Sequence, residues 1–453
     1  MKKRVMKRWL SAFLAAIMVF SSAAYDFPAV VNAAPADYEP TETSVSEDEL
    51  IYVGEAEDDG TAYSDEAAED DLLGEAEEDV AYAGANEYGL RDNIQDGVIL
   101  HCFDWKYNDI KAMLPEIAEA GFSAIQTSPA QRDDSYGVWY MLYQPQSFSI
   151  ATNALGSKEE LTSLCNEAHK YGIKVVVDVV ANHMRGDGSN VDSNMSRNSH
   201  SDYWHQNNLG SGGTVGDHGQ AIDWNNRWEV HQGRIGMEDL NSEHSGVQQA
   251  VSNYIDELKS IGVDGIRWDA AKHIGLPSEN CGFWPAVTGK GLWHYGEILK
   301  GPSDAGEGKA EKGLMEEYTQ YMSVTDNEYG KTLRDAFNEG KAPNYYGNWV
   351  VDGIAENKLV YWGESHDTWS NNDDWGFSNK MSQNVIDRAY AVAASRNQIS
   401  ALYFSRPGST VKEQIMAGEK GSTHFTSKEV AEVNHLHNAT VGEREITMFA
   451  RIT

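Results

Sequence analysis

Residues 262–273 read GVDGIRWDAAKH, and the fold of this chain can be worked out from this stretch. Its apolar half suits a buried strand, and titratable side chains follow where that strand would end: Arg267, Asp269, Lys272 and His273. In α/β barrels and open α/β sheets, active sites gather at the carboxyl ends of the strands. Read by itself, the stretch fits such a strand end and a surface turn with ordinary salt bridges about equally well.

Strand-like and helix-like stretches alternate along the chain, which predicts βα units and a parallel sheet. Residues 173–180 are almost continuously apolar, as expected of a barrel strand buried on both faces. Seven more strands are predicted at 98–103, 122–126, 263–268, 292–298, 322–325, 359–363 and 399–404. Helices are expected at 110–120, at 159–171 and from a capping box at Thr426–Glu429 to His437. Eight strands predict an α/β fold, a closed (β/α)₈ barrel.

The alternation fails between residues 182 and 241, which are rich in Gly, Ser, Asn, Asp and His. A loop of this length inside a compact domain is usually functional or a small subdomain of its own. We therefore expect a loop-rich inserted domain at 184–240, after the third strand. The catalytic barrel would comprise residues 89–183 and 241–442.

Two segments precede the predicted barrel. Residues 1–34 combine basic residues, a short apolar run and final small residues, which predicts a secretory signal peptide and a secreted, extracellular protein. Residues 35–88 carry no Lys or Arg and are expected to form an acidic disordered linker. The formal net charge of −34 argues against nucleic acid and anionic membranes as partners.

The three cysteines, Cys102, Cys165 and Cys281, lack metal-type spacing. One disulfide with one free thiol and three buried thiols are both open. The chain also has 13 Trp and 22 Tyr, and aromatic rings often stack on sugars, although most are simply core.

Acidic residues recur at the ends of separate predicted strands: Asp178, Asp269, Glu297 and Asp367. A barrel would bring these ends into one ring. Crowded carboxylates repel one another and raise at least one pKa, which a general acid requires. Any one of them is better explained as a loop cap, whereas all of them together indicate catalysis.

Four motifs now resemble, in the right order, the signature regions of the α-amylase family, glycoside hydrolase family 13. They are DVVANH at 178–183, GIRWDAAKH at 265–273, GEIL at 296–299 and ESHD at 364–367. MEDLN at 237–241 resembles a fifth region, WYMLYQP at 139–145 the aromatic subsite loop, and FSRP at 404–407 a segment typical of secreted bacterial members. The similarity runs from about residue 97 to residue 442.

The resemblance implies roles for the acidic residues. Asp269 would be the nucleophile, and Arg267 would keep its carboxylate ionised and oriented. Glu297 would be the general acid and then the base that activates water. Asp367 would be the third catalytic acid, which hydrogen-bonds the distorted sugar and helps to hold Glu297 protonated. Such a pair implies a retaining mechanism, with carboxyl groups about 5–5.5 Å apart.

The resemblance also implies substrate contacts for starch and maltooligosaccharides. His183 and His366 would bind hydroxyl groups, and Tyr143 would stack on the sugar at the cleavage point. Trp139, Gln144 and Lys272 would line neighbouring subsites. The expected enzyme is an endo-acting, monomeric α-amylase. A transglycosylase or an oligosaccharide α-glucosidase of the same family, or a non-catalytic α-glucan-binding protein, would be the alternatives.

A calcium ion is the cofactor that the resemblance implies, clamping the inserted domain to the barrel with oxygen ligands. The ligands would be the Asn182 side chain, the Asp239 carboxylate, the His273 carbonyl and, from the 228–231 segment, the His231 carbonyl. Zinc is the rival, on His200, His205, His218 and His231, but their spacing is irregular. Ser365 replaces an Asn typical of chloride-dependent members, so no chloride site is expected.

The family's C-terminal β-sandwich is expected to be almost entirely missing. Residues 443–453 resemble the start of its first strand, and an unpaired apolar edge there would weaken solubility. The sequence could therefore be a fragment of a longer chain with starch-binding or anchoring modules.

Overall fold

The protein was analysed as a computed structural model. It describes residues 87–134, 136–212, 216–217, 220–299, 309–343, 354–370, 378–396 and 399–440. Eight strands form the barrel: β1 Val98–Cys102, β2 Ala124–Thr127, β3 Lys174–Val180, β7 Gly265–Asp269, β8 Trp293–Gly296, β9 Ser323–Thr325, β10 Leu359–Trp362 and β11 Ser400–Phe404. They are all parallel and close in the order β1-β11-β10-β9-β8-β7-β3-β2. The predicted (β/α)₈ barrel is confirmed.

The barrel strands are apolar on both faces because helices cover them outside and side chains fill them inside. All residues of β1, β2, β10 and β11 are buried. β3 pairs with β7 from Val176 opposite Gly265 to Val180 opposite Asp269. The stretch quoted first is therefore a central barrel strand rather than a surface turn.

Helices alternate with the barrel strands. They are α1 Tyr107–Ala112, α2 Leu114–Glu119, α3 Lys158–Lys170, α4 Arg227–Gln232, α5 Ser245–Ser260, α6 Phe283–Val287, α7 Lys309–Tyr321, α8 Asn327–Asn338, α9 His366–Ser370, α10 Gln383–Ala394 and α11 Lys428–Thr440. Within the ranges given above, no helix is long and apolar enough to cross a membrane.

Two helix predictions were wrong in detail. The single helix expected at 110–120 is two helices, which meet at Met113, where φ is −103° and ψ is 1°. Pro115 sits in the first turn of α2, where its missing N–H costs no helical hydrogen bond. The capping box predicted at Thr426–Glu429 is replaced by a simple N-cap, because Ser427 Oγ accepts from the Val430 N–H at 3.4 Å and a valine cannot return the hydrogen bond.

The segment between β3 and β7 holds a small three-stranded sheet in the order β5-β4-β6. Its strands are β4 Gly210–Gly212, β5 Gly216–Asp217 and β6 Arg234–Gly236. Two small clusters of buried side chains lie in this part of the chain: Met184, Met195, Trp204, Leu240 and Val247, and Ile222, Trp224 and Val230. These clusters give an otherwise polar segment cores of its own.

Cys102, Cys165 and Cys281 are all buried free thiols, so the alternative with one disulfide is excluded. Burial raises the pKa of each thiol, to about 12 for Cys165 and about 11 for Cys281. Predictions for residues 1–34, for 35–86 of the acidic segment, for 443–453 and for His218 lie outside the described residues.

Candidate active site

Arg267 is the centre of the candidate active site. Its Nη1 lies 2.8 and 2.9 Å from the two carboxylate oxygens of Asp178 and 2.8 Å from Oδ1 of Asp269. Its Nη2 lies 3.0 Å from Oε2 of Glu297. One buried guanidinium therefore holds three carboxyl groups together, and two of these belong to the three predicted catalytic acids, Asp269 and Glu297.

The register of the barrel explains this convergence. Asp178 on β3 lies directly opposite Arg267 on β7, and side chains on paired residues of adjacent strands share one face. Glu297 follows β8, and its N–H donates to the Trp268 carbonyl at 2.9 Å. Ala270 takes a left-handed conformation, with φ 49°, and its N–H donates to Glu297 Oε2 at 3.0 Å. That turn aims a backbone donor at the predicted general acid.

Arg267 supplies one positive charge to three buried carboxyl groups, so ionising all three at once is costly. Burial raises the pKa of Asp269 well above its usual value; Arg267 opposes this, and Glu297, Asp178 and Asp367 add to it. Burial likewise raises the pKa of Asp178 to about 6, against the effect of Arg267. Crowding was expected to raise at least one pKa, and it does. Arg267 acts in the expected direction, since its charge favours the ionised form of Asp269, but burial is the larger effect on this pKa.

Aromatic rings wall the site beside these carboxyls. The Tyr143 hydroxyl donates to Asp178 Oδ2 at 2.9 Å, and the Tyr143 ring stacks on His366 with centroids 5.4 Å apart. His366 also stacks on Phe103 at 5.1 Å. Trp139 packs edge-on against Tyr143, His366 and Phe103 at 5.3–5.7 Å. The structure thus brings the predicted residues Trp139, Tyr143 and His366 together around Phe103.

Asp367 lies at the first turn of α9, and its side chain is about one-third exposed. Its Oδ2 is 3.5 Å from His366 Nε2. Two residues before His366, Glu364 is fully buried and accepts two hydrogen bonds from Arg406, at 2.6 and 2.9 Å. This ion pair fixes the backbone from which His366 and Asp367 project.

The two predicted sugar-binding histidines are neutral at pH 7. Burial lowers the pKa of His183 to about 4 and that of His366 to about 3. His183 Nε2 lies 3.1 Å from the Tyr143 carbonyl oxygen, which fixes the ring beside the aromatic wall. Gln144 follows Tyr143 and is half-buried. A neutral imidazole can donate one hydrogen bond and accept another, as contact with a hydroxyl requires.

Lys272 is buried, and its Nζ donates to the Leu299 carbonyl at 3.0 Å. The ammonium also lies over the Trp224 ring, 5.3 Å from its centroid. The structure therefore places Lys272 in a contact between the barrel and the inserted segment, and its predicted place in a neighbouring subsite stays a prediction.

The predicted calcium ligands Asn182 and Asp239 lie side by side, because the Leu240 N–H donates to the Asn182 carbonyl at 2.9 Å. Asp239 Oδ2 is 2.6 Å from His205 Nδ1, whereas its Oδ1 is buried without a hydrogen-bond partner. Burial opposes protonation of His205, but its hydrogen bonds to Asp239 and Glu243 raise its pKa to about 9. An unpartnered buried carboxylate oxygen, on a segment whose backbone pairs with that of Asn182 and His183, suits a hard cation.

His273 and His231, the other predicted ligands, lie near each other in the fold. His273 Nδ1 is 2.7 Å from the carbonyl oxygen of Val230, the residue before His231. Among the residues that the structure describes, no three His, Cys, Asp or Glu side chains are grouped for a metal. The predicted calcium site would not contain such a group of side chains, because its ligands are one carboxylate, one amide and two backbone carbonyls.

Four residues of the site were missed from the sequence: Phe103, Glu364, Arg406 and His101, whose ring packs edge-on against His366 with centroids 5.5 Å apart. Phe103 ends the first predicted strand, so its place at a strand end could have been read. Glu364 and Arg406 lie inside quoted motifs but had no expected role. Nothing local in the sequence shows that these two pair across 42 residues.

Residues 106–326 match a family model described as the catalytic domain of alpha amylase. An alpha-amylase of Clostridium acetobutylicum is 35% identical over 378 residues, which cover 79% of this chain and 45% of that protein. An alpha-amylase of Butyrivibrio fibrisolvens is 29% identical over 413 residues, covering 80% and 40%. The chain thus spans less than half the length of these relatives.

Solved structures with the same fold include a maltohexaose complex of a mutant alpha-amylase I from Eisenia fetida. Its TM-score is 0.61 at 19% identity, over 78% of each chain. An acarbose complex of an alpha-amylase from Geobacillus thermoleovorans has a TM-score of 0.55 at 18% identity, over 77% of this chain and 79% of that one. At such identities the likeness shows the barrel architecture that both share with this chain.

Proposed function

We propose that this chain carries a catalytic domain of the alpha-amylase family and is a retaining glycoside hydrolase, on the basis of the family-model match at residues 106–326 and the 35% identity to a bacterial alpha-amylase. Its substrates would be starch and maltooligosaccharides, cleaved at internal α-1,4-glucosidic bonds. One observation carries the proposal: the Arg267 guanidinium contacts the carboxyl groups of Asp178, Asp269 and Glu297 at 2.8–3.0 Å.

In the proposed reaction Asp269 attacks the anomeric carbon while Glu297 protonates the departing glycosidic oxygen. The carbon–oxygen bond to the leaving sugar breaks as the bond to Asp269 forms. Glu297, now ionised, takes a proton from water, and the resulting hydroxide displaces Asp269 from the same carbon. Two inversions give net retention, and Glu297 ends protonated as it began.

These reaction steps require that Glu297 is protonated while Asp269 is ionised. Burial raises the pKa of Asp269 and of Asp178, so ionising every carboxyl around Arg267 at once is costly. Arg267 contacts both Asp269 and Glu297, so its positive charge is available to the ionised Asp269 before the attack and to the ionised Glu297 after it. When Glu297 passes its proton to the glycosidic oxygen, the ionised Asp269 attacks the anomeric carbon.

The remaining site residues would bind the sugar. We propose that Tyr143 stacks on the ring at the cleavage point, since its hydroxyl and ring are held by Asp178 and His366. The neutral imidazoles of His183 and His366 would contact hydroxyl groups, and Asp367 would accept from two of them. Trp139 and Gln144 would border this subsite. Lys272, whose Nζ donates to the Leu299 carbonyl, would line a neighbouring subsite.

We propose calcium as the resident cofactor, bound by the Asn182 amide oxygen, Asp239 Oδ1 and the carbonyls of His273 and His231. The unpartnered Oδ1 of Asp239 supports this. When bound, the ion would neutralise the buried carboxylate and join the inserted segment to the barrel. It takes no part in bond cleavage.

We also propose that the protein is secreted, on the basis of the basic and apolar residues at 1–34, and that it acts outside the cell as a monomer. Amino-terminal sequencing of exported protein should show that this segment has been removed. Retention of the segment on protein recovered from the medium would contradict the proposal.

The proposed function is tested by replacing each predicted acid. Asp269→Asn and Glu297→Gln should each lower kcat on soluble starch by at least about 10²–10⁴-fold, the usual contribution of a positioned acid or base. Asp256→Asn is the matched control, because Asp256 pairs with Lys290 at the surface. An unchanged rate in either site variant would refute the assignment.

Sizing of the early products tests the mode of attack. Internal cleavage of long amylose gives mixed maltooligosaccharides from the first minutes. Release of glucose alone would indicate an α-glucosidase, and cyclic products or products longer than the substrate would indicate a transglycosylase. Binding of amylose without any hydrolysis by the intact protein would indicate a non-catalytic α-glucan-binding protein.

A further inference from the structure

The loop that follows β11, residues 405–418, joins two parts of the candidate active site. On one side the Trp139 N–H donates to the Ile415 carbonyl, and the Ala417 N–H donates to the Gly137 carbonyl, both at 3.0 Å. On the other side Trp369 Nε1 donates to the Ser409 carbonyl at 2.9 Å. The backbone of this loop is thus fixed beside the aromatic wall and beside the helix that carries Asp367.

The loop is also held at its start. Arg406 makes the buried ion pair with Glu364, and its guanidinium lies 4.3 Å from the centroid of the Trp369 ring. Both contacts reach the segment around α9. A side chain in the middle of this loop is therefore presented to the site by a preorganised backbone.

Lys412 is that side chain. It is half-buried, and its Nζ lies 5.0 Å from the centroid of the Tyr140 ring. Tyr140 in turn packs edge-on against Trp139, with centroids 5.8 Å apart. Burial lowers the pKa of Lys412 to about 8, while the charges of Glu413 and Asp367 oppose this shift. At pH 7 the side chain is still mostly a cation, and it lies within the electrostatic reach of Asp367.

Apolar side chains flank this cation on the same loop. Val411 is 42% exposed and Met416 is 46% exposed. Met416 is also paired in a short antiparallel bridge with Val138, the neighbour of Trp139. A cation, an aromatic ring and exposed apolar groups together match a sugar, whose hydroxyls accept hydrogen bonds and whose C–H face packs on apolar surface.

We propose that Lys412 forms an outer α-glucan-binding subsite on the rim of the active site, where its ammonium donates hydrogen bonds to hydroxyls of a glucosyl unit next to Tyr140. This inference rests on the proposed function for the identity of the ligand. The subsite lies outside the cleavage point, so it governs the affinity for longer chains and leaves bond breaking to Asp269 and Glu297.

The test compares Lys412→Met with Lys412→Arg and with Lys420→Met, across maltooligosaccharides from maltotriose to maltoheptaose. Lys420 is a matched control, because it also covers an aromatic ring, Trp105 at 5.2 Å, but is exposed. Lys412→Met should raise KM for maltoheptaose by about tenfold or more, the usual effect of losing a hydrogen bond from a charged donor. KM for maltotriose and all kcat values should change by less than about twofold. Lys412→Arg and Lys420→Met should retain the wild-type KM.

A second arm separates this inference from the proposed function. In the Glu297→Gln background, calorimetry should show that Lys412→Met weakens maltoheptaose binding by a similar factor, with an unchanged melting temperature. If the intact enzyme hydrolyses starch but neither KM nor Kd responds to Lys412→Met, the subsite is refuted and the hydrolase stands. If the enzyme binds maltoheptaose through Lys412 without hydrolysing it, the hydrolase is refuted and the subsite stands. An equal fall in kcat for short and long substrates would also overturn the subsite.

Discussion

Replacing Tyr143 by Phe would isolate one hydrogen bond of the active site. The change keeps the ring that stacks on His366 and removes the hydroxyl that donates to Asp178 Oδ2 at 2.9 Å. Both partners are buried, and Asp178 would keep its two hydrogen bonds from Arg267. A hydrogen bond to a charged group contributes about 1.5–3 kcal/mol, so the variant should lose that much unfolding free energy at pH 8.

The size of this loss should depend on pH. Burial raises the pKa of Asp178 from 3.8 to about 6, so its ionisation costs stability as the pH rises through about 6. The Tyr143 hydroxyl offsets part of that cost, because it donates to the ionised form. The difference between wild type and Tyr143→Phe is therefore largest above pH 6 and shrinks toward pH 5, where the folded protein holds Asp178 protonated.

The assay is equilibrium unfolding in urea at pH 5 and at pH 8, with Tyr140→Phe as the control. Tyr140 belongs to the same loop but is half-buried, and it contacts Trp139 and Lys412 through its ring. The control should change stability by less than about 0.5 kcal/mol at both pH values. A loss below that level for Tyr143→Phe at pH 8, or an equal loss at both pH values, would refute the reasoning.

Two further predictions concern the supports of the site. Arg406→Met should cost about 3–5 kcal/mol of unfolding free energy, because it leaves the buried Glu364 carboxylate without its ion-pair partner. Adding Glu364→Gln to this variant should recover about 1–3 kcal/mol. Urea unfolding of the single and the double variant measures both losses, and equal losses would contradict the prediction. Calcium at about 100 times its Kd should stabilise the wild type by about 2.7 kcal/mol. The Asp239→Asn variant should lose this stabilisation. The control variant Asp202→Asn, which changes an exposed carboxylate of the inserted segment, should keep it. A melting temperature that ignores both calcium and a chelator in the wild type would contradict the calcium proposal.

The barrel could be predicted because its strands are continuously apolar and end in charged residues. That pattern placed Val180 and Asp269 near strand ends, where the structure pairs them across β3 and β7. Element ends were less accurate, since Met113 breaks a helix and Ser427 rather than Thr426 caps another. Such details depend on single backbone angles and hydrogen bonds, which apolar periodicity does not record.

The residues of the site could be predicted from the sequence, but their pKa values and ionisation states could be predicted less well. Arg267 was expected beside Asp269, and it is there, but the pKa of Asp269 depends on burial that only the folded barrel creates. The pairing of Glu364 with Arg406 and the position of Lys412 over Tyr140 both arise from loops that meet in space. A single sequence carries no local signal for contacts of this kind.

The proposed roles of Asp269 and Glu297 are tested most directly by trapping the covalent intermediate. The Glu297→Gln variant would be incubated with an activated α-maltosyl fluoride, whose leaving group needs no general acid, and digested for mass spectrometry. The account predicts one added maltosyl group on the peptide that contains Asp269, because the amide cannot activate water to release it. A label on any other residue, or quantitative release of the β anomer with no labelled peptide, would contradict it.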